Sequence, residues 1–223
     1  MLLSLLEKYE SDFFPLLGTS FQKEDFCKID LNTNTPDLDL EALQTYEGLD
    51  FYIQNELKKK EAKVGVGGYL EKRVLYQQSN NFKSEAENRD IHLGVDWWSA
   101  AETEIYAPLD GKIHSFQYND LYLDYGATII LQHELDDLVF YTLYGHLNLA
   151  SLGNLEKGML IKKGRPFTAM GNRNENGGWV PHLHFQIIKN MMGKEGDFPG
   201  VTSKRLLVEF SKNCPDPNVF FVY

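Results

Sequence analysis

Cysteine is scarce in this chain. Cys27 and Cys214 stand near opposite ends of 223 residues, which excludes a disulfide framework and a cysteine-rich metal site. They read as two buried thiols. Basic residues are also in short supply, 22 Lys and Arg against 32 Asp and Glu. The resulting net charge of −10 repels phosphate backbones and anionic lipid, so nucleic-acid binding is not expected. No apolar run approaches the roughly 20 residues that span a bilayer. The opening Met1-Leu2-Leu3-Ser4-Leu5-Leu6 lacks a basic lead-in and is cut short by Glu7 and Lys8, so no secretory leader is expected and a cytoplasmic location is. Internal repeats and low-complexity segments are missing too. What is present is 43% apolar and 24% charged residues, the make-up of a soluble domain able to bury a core.

Leu2, Leu5, Leu6, Tyr9, Phe13 and Leu17 recur at helical spacing, and Leu49, Ile53 and Leu57 lie four apart. Residues 1–68 are therefore expected as a helical N-terminal extension, with a turn at 32–36. The stretch Val64-Gly65-Val66-Gly67-Gly68 lacks the Gly-Lys-Ser/Thr ending of a phosphate loop and reads as a flexible turn. Over 69–190 the chain becomes short runs of Tyr, Val, Ile and Phe cut by Gly, Asn and Asp, which predicts an antiparallel sheet body. Its clearest strands are 127–132 and 138–143, joined as a hairpin through Glu134-Leu135-Asp136-Asp137. Residues 191–223 are expected to pack on that domain as a tail, with a short helix near 204–211. The fold class is mainly β within an α+β whole.

The residues that carry chemistry lie in the sheet body. In His92-Leu93-Gly94-Val95-Asp96 a straight strand would hold the His92 and Asp96 Cα atoms roughly 13 Å apart. Gly94 is where the backbone can bend to bring them together. In Pro181-His182-Leu183-His184-Phe185-Gln186-Ile187, alternation puts His182, His184 and Gln186 on one strand face. Two imidazoles on a buried strand are costly without partners. In Tyr144-Gly145-His146 a histidine ends a strand beside a glycine, a place from which a side chain enters a cleft. Four histidines and one carboxylate thus come from separated strands. Two histidines with one carboxylate leave a coordination position open to water, the pattern of a catalytic zinc site.

These three motifs, in this order, resemble the M23 peptidases, the LytM and lysostaphin-type zinc endopeptidases. The resemblance runs over about residues 89–188 and takes in Ala107-Pro108-Leu109-Asp110-Gly111-Lys112-Ile113, Tyr125-Gly126 and Gly171-Asn172. It implies an antiparallel β-sheet groove with one Zn²⁺ per chain at its floor, held by His92, Asp96 and His184 with solvent in the fourth position. It further implies that His146 and His182 are catalytic histidines that do not bind the metal. The implied activity is zinc-dependent hydrolysis of amide bonds in a peptide or peptidoglycan-derived substrate. The chain departs from the family pattern at Gln186, where a Glu is usual, and in the loop 172–180.

Other readings of the same residues exist. Two histidines and a carboxylate also form the facial triad of non-haem iron oxygenases, but the first element there is His-x-Asp, and two spare histidines suit hydrolysis better. An M23-like domain can also serve as a metal-binding regulatory or binding module without peptidase activity. His133-Glu134 starts like a His-Glu-x-x-His site, yet Asp137 stands where the second histidine belongs. His133 is read as a supporting or satisfied strand residue, and His114 has no evident partner. Trp97, Trp98 and Trp179 fit either a cleft wall or the core.

Overall fold

The computed structural model describes residues 2–78, 80–82 and 87–221. Among them are twelve strands: β1 (Phe26–Lys28), β2 (Val64–Gly67), β3 (Ile91–His92), β4 (Val95–Trp98), β5 (Glu104–Tyr106), β6 (Gly111–Asn119), β7 (Gly126–Leu135), β8 (Leu138–Leu147), β9 (Leu160–Ile161), β10 (Pro166–Ala169), β11 (His182–Ile188) and β12 (Val201–Thr202). Three α-helices accompany them, α1 (Leu2–Lys8), α2 (Tyr46–Lys59) and α3 (Leu207–Asn213). Eight strands form one sheet in the order β1-β2-β4-β11-β8-β7-β6-β9. Its neighbours run antiparallel except for β1 and β2. This is the mainly β architecture that the sequence predicts.

The hairpin of β7 and β8 turns at Asp136-Asp137, both with positive φ, between the paired Leu135 and Leu138. Positive φ at both central residues is the requirement of a two-residue turn whose twist matches the strands it joins. Alternation along β11 sends Leu183, Phe185 and Ile187 into the largest core with Val95, Trp97, Ile129 and Tyr144. His182, His184 and Gln186 are left on the opposite face. Leu2 and Leu6 of α1 join that largest core. On the histidine side, Leu49, Ile53 and Leu57 of α2 pack with Trp98 and Trp179, each such burial stabilising by roughly 1.5–3 kcal/mol. α2 is capped by Thr45, whose hydroxyl accepts from Gly48 N at 3.0 Å, and carries Lys58 and Lys59 in its last turn.

The helical reading of residues 1–68 holds for α1 and α2 and fails between them. Phe26-Cys27-Lys28 is β1, too short for any periodic signal. The glycine-rich 64–67 is not a turn but β2, a buried strand that pairs Val66 with Trp97 and Gly67 with Asp96. A Cβ on Gly67 would lie 2.1 Å from the Ile29 carbonyl oxygen, so close backbone approach, not looseness, explains the glycine. At the other end β12 pairs with β3, and Phe220 reaches the largest core. The helix expected near 204–211 is α3, starting at Leu207. Cys27 and Cys214 are buried free thiols. No helix among the described residues is long and apolar enough to cross a membrane.

Candidate metal centre

His92 closes β3 and pairs with Val201, whereas Asp96 lies in β4 between Gly67 and His184. The chain changes sheets across Leu93-Gly94, and this bend brings His92 Nε2 to 3.2 Å from Asp96 Oδ1. The register of β11 on β4 then sets His184 opposite Asp96. Its Nδ1 is 3.2 Å from the same Oδ1 and 2.9 Å from His92 Nε2. All three side chains are buried, and they form a group able to hold a metal ion.

The protons on the two rings decide whether that group suits a cation. His92 Nδ1 faces the Gly68 carbonyl at 3.1 Å, and His184 Nε2 faces Gln186 Oε1 at 2.9 Å. The Gln186 amide nitrogen donates to Pro199 O, which fixes Oε1 as the atom turned to His184. Both partners only accept, so these ring nitrogens carry the protons. The lone pairs of His92 Nε2 and His184 Nδ1 therefore converge with Asp96 Oδ1. Three acceptors at 2.9–3.2 Å repel one another unless a cation lies among them. For bonds of about 2.0–2.1 Å, a tetrahedral site needs ligand atoms about 3.3 Å apart. The donor set fits a zinc-like ion, with imidazole tautomers fixed from behind as metal-ligating histidines require.

Burial pushes the His92 ring down to about 3, and the Arg73 guanidinium adds to this. Burial opposes the charge of Asp96, yet the His92 ring and Arg73 hold its carboxyl well below the usual range. Asp96 is thus an anion and His92 a neutral ring at pH 7, the forms in which both bind metals.

His182 sits two residues before His184 on the same strand face. Its Nδ1 donates to Val180 O at 2.7 Å, and its Nε2 is 3.9 Å from Asp96 Oδ1. His146 reaches the same place by a different route. Regular alternation along β8 would put it beside Tyr144 in the large core, but its φ of +62° turns the ring to the histidine face. That left-handed backbone costs about 1–2 kcal/mol. The His146 and His182 rings lie 4.2 Å apart, and His146 Nδ1 donates to Asn176 O at 2.8 Å. Each ring keeps Nε2 as an acceptor. Burial, then the neighbouring His182 and His184, push His146 well below its ordinary range, and burial lowers His182 as well. Both are neutral bases at pH 7.

A nook of about 30 Å³, lined by Leu49, Tyr76, Trp98 and Trp179 along with the five polar residues, adjoins the triangle. It has room for a water. A larger cleft of about 310 Å³ shares His92, His146 and His184 as part of its wall, with Tyr125, Asp124 and Phe198 facing them. Trp98 stacks on His182 at 5.8 Å, while Trp97 belongs to the core.

The structure brings together all five residues singled out in the sequence. It keeps His133 apart, satisfied by Asp110 O and Thr142 Oγ1, and His114 is partnered by Ser115 Oγ. Sequence reasoning missed the supporting atoms. Asn176, fully buried, accepts from Gly178 N and Trp179 N and so shapes the loop whose carbonyl holds His146. The Gly68 carbonyl and the Arg73 guanidinium, which donates to Asp96 Oδ2, carried no signal. Gln186 was visible only as a departure from a pattern.

Residues 90–196 match the sequence model of peptidase family M23. Among solved structures the chain is similar to a zinc-containing peptidase from Vibrio cholerae, at 27% identity over 47% of this chain with a TM-score of 0.36. The aligned part is 29% of that peptidase's own length. It is also similar to the catalytic domain of the antimicrobial peptidase lysostaphin from Staphylococcus simulans, at 23% identity over 60% of this chain and 97% of that one, TM-score 0.38. LytU aligns at 23% identity over 70% and 89% of the two chains, TM-score 0.41. A search of curated proteins finds no match.

Proposed function

We propose that this chain is a zinc-dependent metalloendopeptidase that hydrolyses peptide amide bonds, with peptidoglycan-type peptides as the first substrates to test. The observation that carries the reading is the convergence of three lone-pair atoms, His92 Nε2, Asp96 Oδ1 and His184 Nδ1, beside two further imidazoles with free Nε2 atoms. Zn²⁺ bound there supplies Lewis acidity toward the scissile carbonyl and lowers the pKa of its water to about 7. His146 and His182 do the proton work. One accepts the water proton at Nε2 and delivers that same proton to the leaving amine as the C–N bond breaks, and the other, with its ring 4.2 Å away, is placed to relay it. Such acid–base assistance is typically worth about 10²- to 10⁴-fold. The Nδ1 bonds to Asn176 O and Val180 O hold both rings in the tautomer this requires. The cleft beside Tyr125 and Phe198 would receive the peptide on this reading.

The test is zinc content of the purified chain together with hydrolysis of a peptide library and peptidoglycan fragments, with and without chelator. Chelator-sensitive cleavage supports the proposal. A metal-loaded chain that cleaves none of these substrates supports the second reading, a metal-binding module without peptidase activity. One observation favours that alternative: the triangle is almost wholly covered, by Leu49 of α2 and by Tyr76 and Trp179.

A further inference from the structure

Arg73 is a fully buried cation whose guanidinium joins two carboxylates. Its Nε donates to Glu71 Oε2 at 2.7 Å, and its Nη1 donates to Asp96 Oδ2. The Trp98 ring lies 5.7 Å away, and Nη2 has no hydrogen-bond partner among the described residues. Placing a cation this deep is costly. Placing it in the wall of the nook that adjoins a metal triangle is more so, because a divalent ion there repels it.

The surrounding chain is built to hold it. Glu71 Oε1 accepts from Leu31 N at 2.9 Å, which fixes the brace on its far side. The backbone of 70–73 is tied to the first ligand by Leu70 N to His92 O, His92 N to Glu71 O and Arg73 N to Asp90 O, each at 2.9 Å. Just ahead of this stretch, Gly68 supplies the carbonyl that orients the His92 ring. All of it precedes the 90–196 family match.

We infer that Arg73 is a positioning residue for the metal ligand Asp96: it occupies Oδ2, leaves Oδ1 alone to face the ion, and with Glu71 as its brace fixes the plane of the carboxylate. This rests on the metal reading above. Two effects of opposite sign compete. As a point charge Arg73 repels a divalent cation, so its removal tightens binding. As a fork it orients the ligand, and loss of such an outer partner typically weakens metal affinity about 10- to 100-fold. The geometry selects the second, because among the described residues Arg73 alone bonds Oδ2, and without it the carboxylate can turn both oxygens toward the ion. A lysine carries the charge but has a single nitrogen, without the planar fork that spans two carboxylates.

The test uses the full chain and three variants, Arg73→Met, Arg73→Lys and Glu71→Gln. Zn²⁺ affinity is measured by competition with a chromophoric chelator, and the visible spectrum is recorded after loading Co²⁺. Both Arg73 variants are expected to bind Zn²⁺ about 10- to 100-fold more weakly. Their Co²⁺ bands should lose intensity as Asp96 swings to two-oxygen coordination, and Glu71→Gln should move both readouts the same way by less. Equal or tighter binding by Arg73→Met, or a wild-type spectrum and affinity in Arg73→Lys, overturns the assignment. A wild-type chain that takes up neither metal overturns the metal reading itself. Where Arg73→Met does not fold, the other two variants decide.

Discussion

Replacing Gly94 with alanine should empty the metal site while leaving the sheet intact. A Cβ at this position would lie 2.6 Å from His184 Cε1, 2.7 Å from His184 Nε2 and 2.7 Å from the Phe185 carbonyl oxygen. Carbon atoms pack at about 3.5–4.0 Å, so the His184 ring would have to retreat by about 1 Å. The methyl has no soft direction in which to push, since its neighbours are a ligand ring and the backbone of a central strand. Metal–ligand distances tolerate only about 0.2 Å, and His184 is bonded through both ring nitrogens. Zn²⁺ affinity should fall by at least the 10- to 100-fold typical of disturbed outer contacts. The overpacking should cost about 1–3 kcal/mol of stability. Chelator competition on Gly94→Ala, with thermal unfolding of the metal-free protein as control, measures both. Wild-type zinc affinity in a folded Gly94→Ala would refute the reasoning, since it would mean that the His184 position seen here is not the one that binds.

Other perturbations separate further parts of the molecule. His184→Ala should lose metal and hydrolysis together, whereas His146→Ala and His182→Ala should keep the metal while turnover drops about 10²-fold or more; an empty site in His182→Ala and a filled one in His184→Ala would exchange those roles. His133 is buried with its pKa pushed by burial from 6.5 to about 4, so the folded state binds fewer protons than the unfolded one between those values. Its contribution is fully present above 6.5 and is lost as pH falls toward 4, about 3 kcal/mol in all. Urea titrations of the metal-free protein across that range should show a slope that His133→Gln flattens. Leu6→Ala removes a fully buried side chain of α1 from the largest core and should cost about 2–5 kcal/mol in the same titrations.

Strand alternation is local, so the shared face of His182, His184 and Gln186 can be read from five residues, and β11 has it. The approach of His92 to Asp96 was legible through Gly94, because only a bend there could shorten a span of four extended residues. The direction of His146 was not legible from alternation, which points the ring into the core; a left-handed backbone reverses it. Arg73 was invisible for another reason. Its partners lie in a strand 23 residues away and in Glu71, and nothing local marks a lysine-like surface position as a buried fork. The strands β1 and β2 escaped notice because one is three residues long and the other is half glycine.

The sheet does not begin where the family match does. β4 carries two ligand-shaping neighbours, β11 on one side and β2 on the other, and β2 lies upstream of residue 90. A graft of 90–196 into another protein would therefore carry the three side chains able to hold a metal without the carbonyl behind His92, the guanidinium behind Asp96 or the strand that covers the outer edge of β4. It would also leave behind β12 and Phe220, which close the other end. An uncovered edge of this kind invites pairing with a second chain. The stretch that matches the family model and the stretch that can stand alone have different borders here, and any transplant has to be cut to the second.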